Sequence, residues 1–141
     1  MLFRSSGVTS KEVVTAVGGR DVIIKKIQIE RVKEQQAREL MRWEAEQHVP
    51  FDMESVELDF QILDPDDDSP EMSVLLVAAK RDVIDRRVEI GDTASVRYNV
   101  MGVDSLALAD AAESCDFLRV GESVAILNLG AMATKIGRAH V

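Results

Sequence analysis

RELMRWEAEQHVPFDMESVELDFQIL, residues 38–63, joins a helix pattern to a strand pattern through a proline. Around its first half, apolar and boundary residues recur at i, i+3 and i+4 spacing, which predicts an amphipathic helix. These residues are Ala37, Leu40, Met41, Ala45, His48 and Val49. Pro50 ends the helix, because the residue before a proline is pushed out of the α region.

The second half of the stretch alternates from Val56 to Leu63, as expected of a strand with one covered face. The two sides of this strand are Val56, Leu58, Phe60 and Ile62 on one, and Glu57, Asp59 and Gln61 on the other. One helix face and one strand face therefore need cover, and we expect the remaining chain to supply much of it.

The same patterns predict the other elements. We expect further strands at Lys11–Val17, Val22–Ile29, Met72–Ala79, Val96–Val103 and Val124–Leu129, and helices over about 32–49, 82–90 and 104–114. The resulting order, β-β-α-β-β-α-β-α-β, predicts an α/β or α+β fold. In the second strand, the predicted core face is Ile23, Lys25, Ile27 and Ile29.

Local signals add detail to these elements. Gly18–Asp21 is predicted to be the turn between the first two strands. Asp104 or Ser105 is expected to cap the last helix. The expected buried side of the second helix consists of Val83, Ile84, Arg87, Val88 and Ile90.

Length and composition restrict the class of protein. The 141 residues suit one modest domain or a piece of a larger one. No apolar run approaches the roughly 20 residues of a membrane span. The net charge of −8 argues against a nucleic-acid partner, because no basic stripe is present to neutralise phosphates. Cys115 is alone, which excludes an internal disulfide and is compatible with a reducing cytosol.

Several candidate sites fail on spacing. Asp64, Asp66 and Asp68 match the first three ligands of a calcium loop, but Ser69 replaces the required glycine and Leu75 the final glutamate. We therefore interpret residues 64–70 as a solvated hairpin loop. No group of cysteines and histidines has the spacing of metal ligands.

Nucleophilic catalysis lacks suitable residues. His48 falls on the apolar side of its helix and is interpreted as a core or boundary histidine. Cys115 is interpreted as a small packing residue, since no basic neighbour is placed to activate it. Glu44 and Glu46 face different directions on a helix and cannot act as a pair.

Residues 124–134, VAILNLGAMAT, carry the one pattern with functional weight. A hydrophobic strand runs into Gly130 and Ala131, where small residues let backbone N–H groups approach a phosphate. Asn128 and Thr134 add an amide and a hydroxyl. These four residues, Asn128, Gly130, Ala131 and Thr134, are the candidate phosphate-binding site.

The last six residues, 136–141, resemble a translated sequencing adapter. ATC-GGA-AGA-GCA-CAC-GTC encodes IGRAHV, TGA follows as a stop, and the preceding AG can complete the codon of Lys135. We expect a chain cut at both ends and set this hexapeptide aside from fold prediction. Resequencing the locus tests the idea.

Three stretches carry a resemblance to a known family. They are Glu44-x-Glu46-x-x-Val49-Pro50-Phe51, the strand from Val56 to Leu63, and Val74-Leu75-Leu76-Val77-Ala78-Ala79-Lys80. Together they resemble PilM, the type IV pilus assembly protein of the actin-like superfamily, related to FtsA. Val17-Gly18-Gly19 through Ile29, and Val103 through Leu108, are similar to the family's adjoining regions.

The resemblance implies a domain plan and a partner. It assigns 1–29 and 96–120 to the first actin-like subdomain, 30–95 to an inserted subdomain, and 121–135 to the start of the second. The implied protein is a cytoplasmic scaffold, peripheral to the inner membrane, that binds ATP with Mg²⁺ and the N-terminal cytoplasmic segment of PilN. Other inner-membrane platform proteins and further copies of itself are implied partners. The fragment alone is expected to hold no cofactor.

One departure from the resemblance concerns hydrolysis. Asn128 stands where many actin-like relatives have an aspartate, and a neutral amide holds Mg²⁺ poorly. ATP hydrolysis is therefore less expected than ATP binding. An FtsA-like division protein and an active ATPase or phosphotransferase of the same fold are the alternatives. Trp43, opposite the apolar side of its helix, is either an exposed partner anchor or part of a second buried side.

Overall fold

The computed structural model describes residue 7 and residues 9–119, 121–131 and 134–140, without the side chains of residues 34, 35 and 138–140. The elements are β1 (Glu12–Val17), β2 (Val22–Glu30), α1 (Glu34–His48), a 3-10 turn (Met53–Ser55), β3 (Val56–Ile62), β4 (Glu71–Lys80), α2 (Arg81–Ala94), β5 (Arg97–Val103), α3 (Asp104–Ser114), β6 (Ser123–Leu129) and β7 (Thr134–His140). The predicted α/β class and the nine predicted elements are confirmed. Strand β7 was not predicted, because most of it lies in the tail that was set aside.

The chain divides into two compact units. The inserted unit is Arg20–Arg86, and the enclosing unit is Met1–Gly19 with Arg87–Val141. The family resemblance implies an inserted subdomain that begins at residue 30, ten residues after the start of this compact unit. The difference arises because β2 pairs with β4 and therefore shares a sheet with the inserted elements. The correspondence of these units to actin-like subdomains stays a prediction.

The inserted unit is an antiparallel sheet of order β2-β4-β3 with α1 packed on one face. The buried residues of this core are Ile27, Ile29, Ala37, Met41, Ala45, Val49, Met72, Val74, Leu76 and Ala78. Strand β4 lies between two partners, which explains its almost continuous apolar sequence. The predicted apolar sides of α1 and β3 and the core side of β2 are confirmed, although Lys25 reaches solvent.

The turn at 18–21 is present, with Gly19 at φ +91, but it does not make a hairpin. Strand β1 pairs in parallel with β5, whereas β2 leaves for the other sheet. The predicted turn therefore connects strands of two different sheets. Strand β2 pairs with β4 over nine residues, and β4 is a longer and more apolar partner than the six-residue β1.

In the enclosing unit, β1 and β5 run parallel, with a register shift between Val13 and Val14, and β6 and β7 form an antiparallel hairpin. Helix α3 contacts β1, β5 and β7. It begins at Asp104, its N-cap position is Val103, and no side chain caps it, so the predicted cap is wrong.

Two further expectations about burial need correction. In α2, Val83, Ile84 and Arg87 are half-buried, but Val88 and Ile90 are 43% and 55% exposed, so the buried side is narrower than expected. Cys115 follows the last turn of α3 and is exposed, so it is not a packing residue.

The loop between β3 and β4 is fastened rather than merely solvated. The Arg31 guanidinium donates to the carbonyls of Ser69 at 2.8 Å, Asp64 at 3.1 Å and Glu71 at 3.0 Å. The Asp64 carboxylate accepts from the Ser73 backbone N–H at 2.9 and 3.1 Å. This N–H lowers the pKa of Asp64 below its ordinary value of 3.8; burial opposes the shift, and the charge of Arg31 adds to it.

This loop predicts an acid-dependent loss of stability. Because Asp64 binds a proton more weakly in the folded chain, its contribution is present above pH 3.8 and is lost as pH falls through the lower folded pKa. We expect the urea midpoint of the chain to fall over this range, and less so in Asp64→Asn. Asp66→Asn, in the exposed part of the same loop, is the control. Equal acid sensitivity of Asp64→Asn and the unmodified chain would refute the role of Asp64.

Candidate functional site

The carboxyl ends of β1 and β5 meet, because Val17 and Val103 are register partners in a parallel pair. The residues that follow them, Gly18 and Asp104, are therefore neighbours. A Cβ atom on Gly18 would fall on the Asp104 carboxylate, so a larger residue here would require the Asp104 side chain to move. Ligands of α/β proteins bind outside the carboxyl ends of parallel strands, which makes this edge the natural place for a site.

The β6–β7 hairpin carries the four residues predicted from sequence. Asn128 lies half-buried near the end of β6, Gly130 and Ala131 follow it in exposed positions, and Thr134 is the first residue of β7. Met132 and Ala133 of the same pattern lie outside the described residues.

One ion pair connects the hairpin to the strand edge. Lys135, the register partner of Asn128, contacts the Asp104 carboxylate through its ammonium group. Both side chains are about one-third exposed, at 31% each. The pair brings the candidate hairpin to the first turn of α3.

A recess of about 230 Å³ lies between α3 and the hairpin. Asn128 and Lys135 line it from the hairpin, and Ser105 lines it from the start of α3. The remaining lining residues are Leu106, Leu108, Ala109, Ile126, Ile136 and Gly137. The structure thus brings Asn128 beside polar groups of α3, whereas Gly130, Ala131 and Thr134 are exposed around the turn.

The chemistry of this site suits an anion more than a tightly held metal. Phosphate oxygens are contacted by exposed backbone N–H groups, hydroxyls, amides and ammonium groups. Here Gly130 and Ala131 are exposed at the turn, and Thr134, Asn128 and Lys135 supply the hydroxyl, the amide and the ammonium group. Asp104 is the nearby carboxylate. Over the described part of the chain, no three histidine, cysteine or acidic side chains are grouped closely enough to hold a metal ion.

Asp104, Ser105 and Lys135 were not selected as site residues from sequence. Asp104 was interpreted only as a helix cap, although its place directly after a strand was a usable signal. The sequence contains no comparable signal for Lys135, because its place beside Asn128 depends on the pairing of β7 with β6.

His48, Glu44 and Glu46, which the sequence analysis excludes as catalytic residues, belong to the inserted unit, whereas this site belongs to the enclosing unit. His48 lies half-buried at the end of α1, with its Nε2 3.7 Å from Glu44 Oε2. The side chain of Glu46 points to solvent, away from the half-buried Glu44. Trp43 is 60% exposed, so of the two alternatives for this residue the structure has the exposed one.

These features define a mixed α/β protein in which an antiparallel sheet with one covering helix is inserted between two parallel strands. The profile of the family described as type IV pilus assembly protein PilM matches residues 1–139. The chain belongs to this family.

A solved structure supports the assignment. The chain is similar to a structure titled PilM-PilN type IV pilus biogenesis complex, with a TM-score of 0.77 and 26% sequence identity. The match covers 96% of this chain and 41% of that one, so the chain spans less than half of its structural relative. None of the described helices is both long and apolar enough to cross a membrane.

Proposed function

We propose that this chain is part of a cytoplasmic scaffold, peripheral to the inner membrane, that binds the N-terminal cytoplasmic segment of PilN. The observation that carries the proposal is the match of nearly the whole chain to PilM, together with its similarity to a PilM–PilN complex. Other inner-membrane platform proteins and further copies of the chain are proposed partners of the same scaffold.

The proposed scaffold binds ATP through the β6–β7 hairpin. Backbone N–H groups at Gly130 and Ala131 and the hydroxyl of Thr134 contact the phosphates, while Asn128 donates its amide from the half-buried end of β6. The proposal places the nucleotide beside the first turn of α3, whose N-terminal dipole favours an anion. The part matched here covers 41% of the relative, and the remainder would supply the other contacts.

ATP hydrolysis is a second candidate function, which Asp104 favours. Asn128 lacks the charge that holds Mg²⁺ well, but Asp104 places a carboxylate at the same strand edge. Mg²⁺ bound there would neutralise phosphate charge. The ion pair between Asp104 and Lys135 would have to break before Asp104 could bind such an ion. We therefore rank ATP binding above hydrolysis.

Calorimetry with a longer chain that also includes the part of the relative not matched here tests the proposed function. We expect the N-terminal segment of PilN to bind it, and a scrambled peptide of the same composition not to bind. The 141-residue chain alone is the second arm, and we expect it to bind Mg·ATP feebly or not at all. Micromolar binding of ATP by this chain would contradict that expectation.

Peptide binding and an assay of phosphate release together separate the alternative functions. Failure of the PilN segment to bind at high peptide concentration would favour an FtsA-like division protein. Steady release of phosphate from Mg·ATP, lost in Asp104→Asn, would favour an active ATPase or phosphotransferase of this fold.

A further inference from the structure

Strand β3 leaves one edge of the inserted sheet open. It is last in the order β2-β4-β3, and no other described strand pairs with it. Leu63 N–H donates to Ser73 at 2.8 Å, which fixes the alternation along β3. In an antiparallel pair every second residue bonds its partner, so the backbone groups of Leu58, Phe60 and Ile62 point away from β4. A row of backbone donors and acceptors that β4 does not use can accept a further strand.

A groove of about 230 Å³ runs between this edge and α1. Its accessible apolar lining is Met53 from the 3-10 turn and Leu58 and Phe60 from β3, with the buried side chains of Met41 and Val56 beneath them. Methionines in such a lining adapt to different apolar side chains. The groove can therefore receive a large apolar side chain that projects from a strand added to β3.

The acidic groups of the groove are already engaged. Glu57 accepts from Arg81 at 2.8 Å, and the Asp59 carboxylate accepts the outward N–H of Phe60 at 2.9 Å. Asp59 thus occupies a donor on the free edge and shields it from non-selective pairing. A carbonyl of an incoming strand can replace this carboxylate.

The basic groups on the α1 side are more available. The Arg38 guanidinium lies 5.9 Å from the centroid of the Phe60 ring, and Arg42 is exposed, with no ion pair to any described side chain. In a chain of net charge −8, the groove lining itself contains three arginines, Arg38, Arg42 and Arg81, against the two carboxylates of Glu57 and Asp59. Charge complementarity therefore selects an acidic occupant.

We propose that this groove binds an extended segment of a partner protein, in which an acidic side chain stands two residues from a large apolar one. The segment adds to the free edge of β3, the apolar side chain enters the groove, and the acidic side chain meets Arg42. The i, i+2 spacing puts both side chains on the same face of a strand. A second copy of this chain fits poorly, because pairing two β3 edges would bring two sets of Arg38 and Arg42 together.

A panel of synthetic peptides of roughly nine residues, an ordinary strand length, tests this proposal on the full chain. Each peptide alternates threonine with valine and carries a central leucine and, two residues on, glutamate, glutamine or lysine. Fluorescence anisotropy gives affinity, and amide NMR shifts of Leu58 and Phe60 report strand addition. We expect the glutamate peptide to bind about tenfold tighter than the glutamine peptide.

Variants and modified peptides complete the test. Arg42→Glu should reverse the preference toward the lysine peptide, whereas Arg86→Glu, the same change outside the groove, should keep it. Methylation of the peptide backbone nitrogens should abolish binding and the amide shifts. Equal affinity for the glutamate and glutamine peptides, or no shift at Leu58 and Phe60 at millimolar peptide, would overturn the proposal. Dimerisation of the chain that Arg42→Glu abolishes would also overturn it, because the occupant would then be a second copy.

Discussion

We expect Leu76→Asp to unfold the inserted unit and Leu75→Asp to leave it folded. The two leucines are neighbours in β4, but Leu76 is 1% exposed beneath α1, while Leu75 is half-buried on the other face of the sheet. A carboxylate at Leu76 would be buried with no partner, at a cost of roughly 5 kcal/mol or more, which is comparable to the whole stability of a domain.

Leu75→Asp is the matched control, because it makes the same substitution at the neighbouring residue on the opposite face of the sheet. Both substitutions replace leucine by an aspartate of poor strand propensity, which costs about 1 kcal/mol in either case. Far-UV circular dichroism with urea measures the difference, and we expect no cooperative transition in Leu76→Asp. Similar urea midpoints for the two variants would contradict the position of α1 on the sheet.

Met41→Ala is expected to destabilise the inserted unit far more than Trp43→Ala. Met41 is 2% exposed at the centre of the contact between α1 and the sheet, so its truncation leaves a cavity and costs about 2–5 kcal/mol. Trp43, two residues away on the same helix, is 60% exposed and points away from the sheet. Its loss should change stability by about 0.5 kcal/mol or less.

Circular dichroism is the suitable measurement, since Trp43 is the one tryptophan and its removal abolishes tryptophan fluorescence. Alanine favours helix at either position, so intrinsic propensity does not explain a difference in this direction. A loss of stability in Trp43→Ala as large as that in Met41→Ala would mean that α1 is covered on both sides. If Trp43 is a partner anchor, its variant should instead lose binding while remaining folded.

Local patterns in the sequence were sufficient for most elements. The i, i+3 and i+4 spacing around Met41 and the alternation from Val56 identified the faces that the structure buries. Pro50 marked the end of α1 for a steric reason that needs no tertiary contact. Residues 38–63 therefore determined a helix, its end, a strand and the inward face of each.

Pairing and long-range neighbours could not be obtained in this way. The turn at residues 18–21 was recognisable from sequence, but no local pattern indicated that β2 pairs with β4 and β1 with β5. The exposure of Cys115 could not be predicted either, because it depends on where α3 ends, and a small apolar side chain can be buried or exposed.

The candidate site shows the same division. The pattern around Asn128 and Gly130 predicted a strand that runs into a phosphate-contacting segment, but the hairpin with β7 and the approach of the Asp104 carboxylate depend on strand pairing and on long-range contacts. The sequence by itself determined which segments form helices and strands and which of their faces are apolar, since these follow from the spacing of neighbouring residues. The tertiary structure alone decided which strands meet and which charges face one another, because those contacts join residues that no local spacing relates.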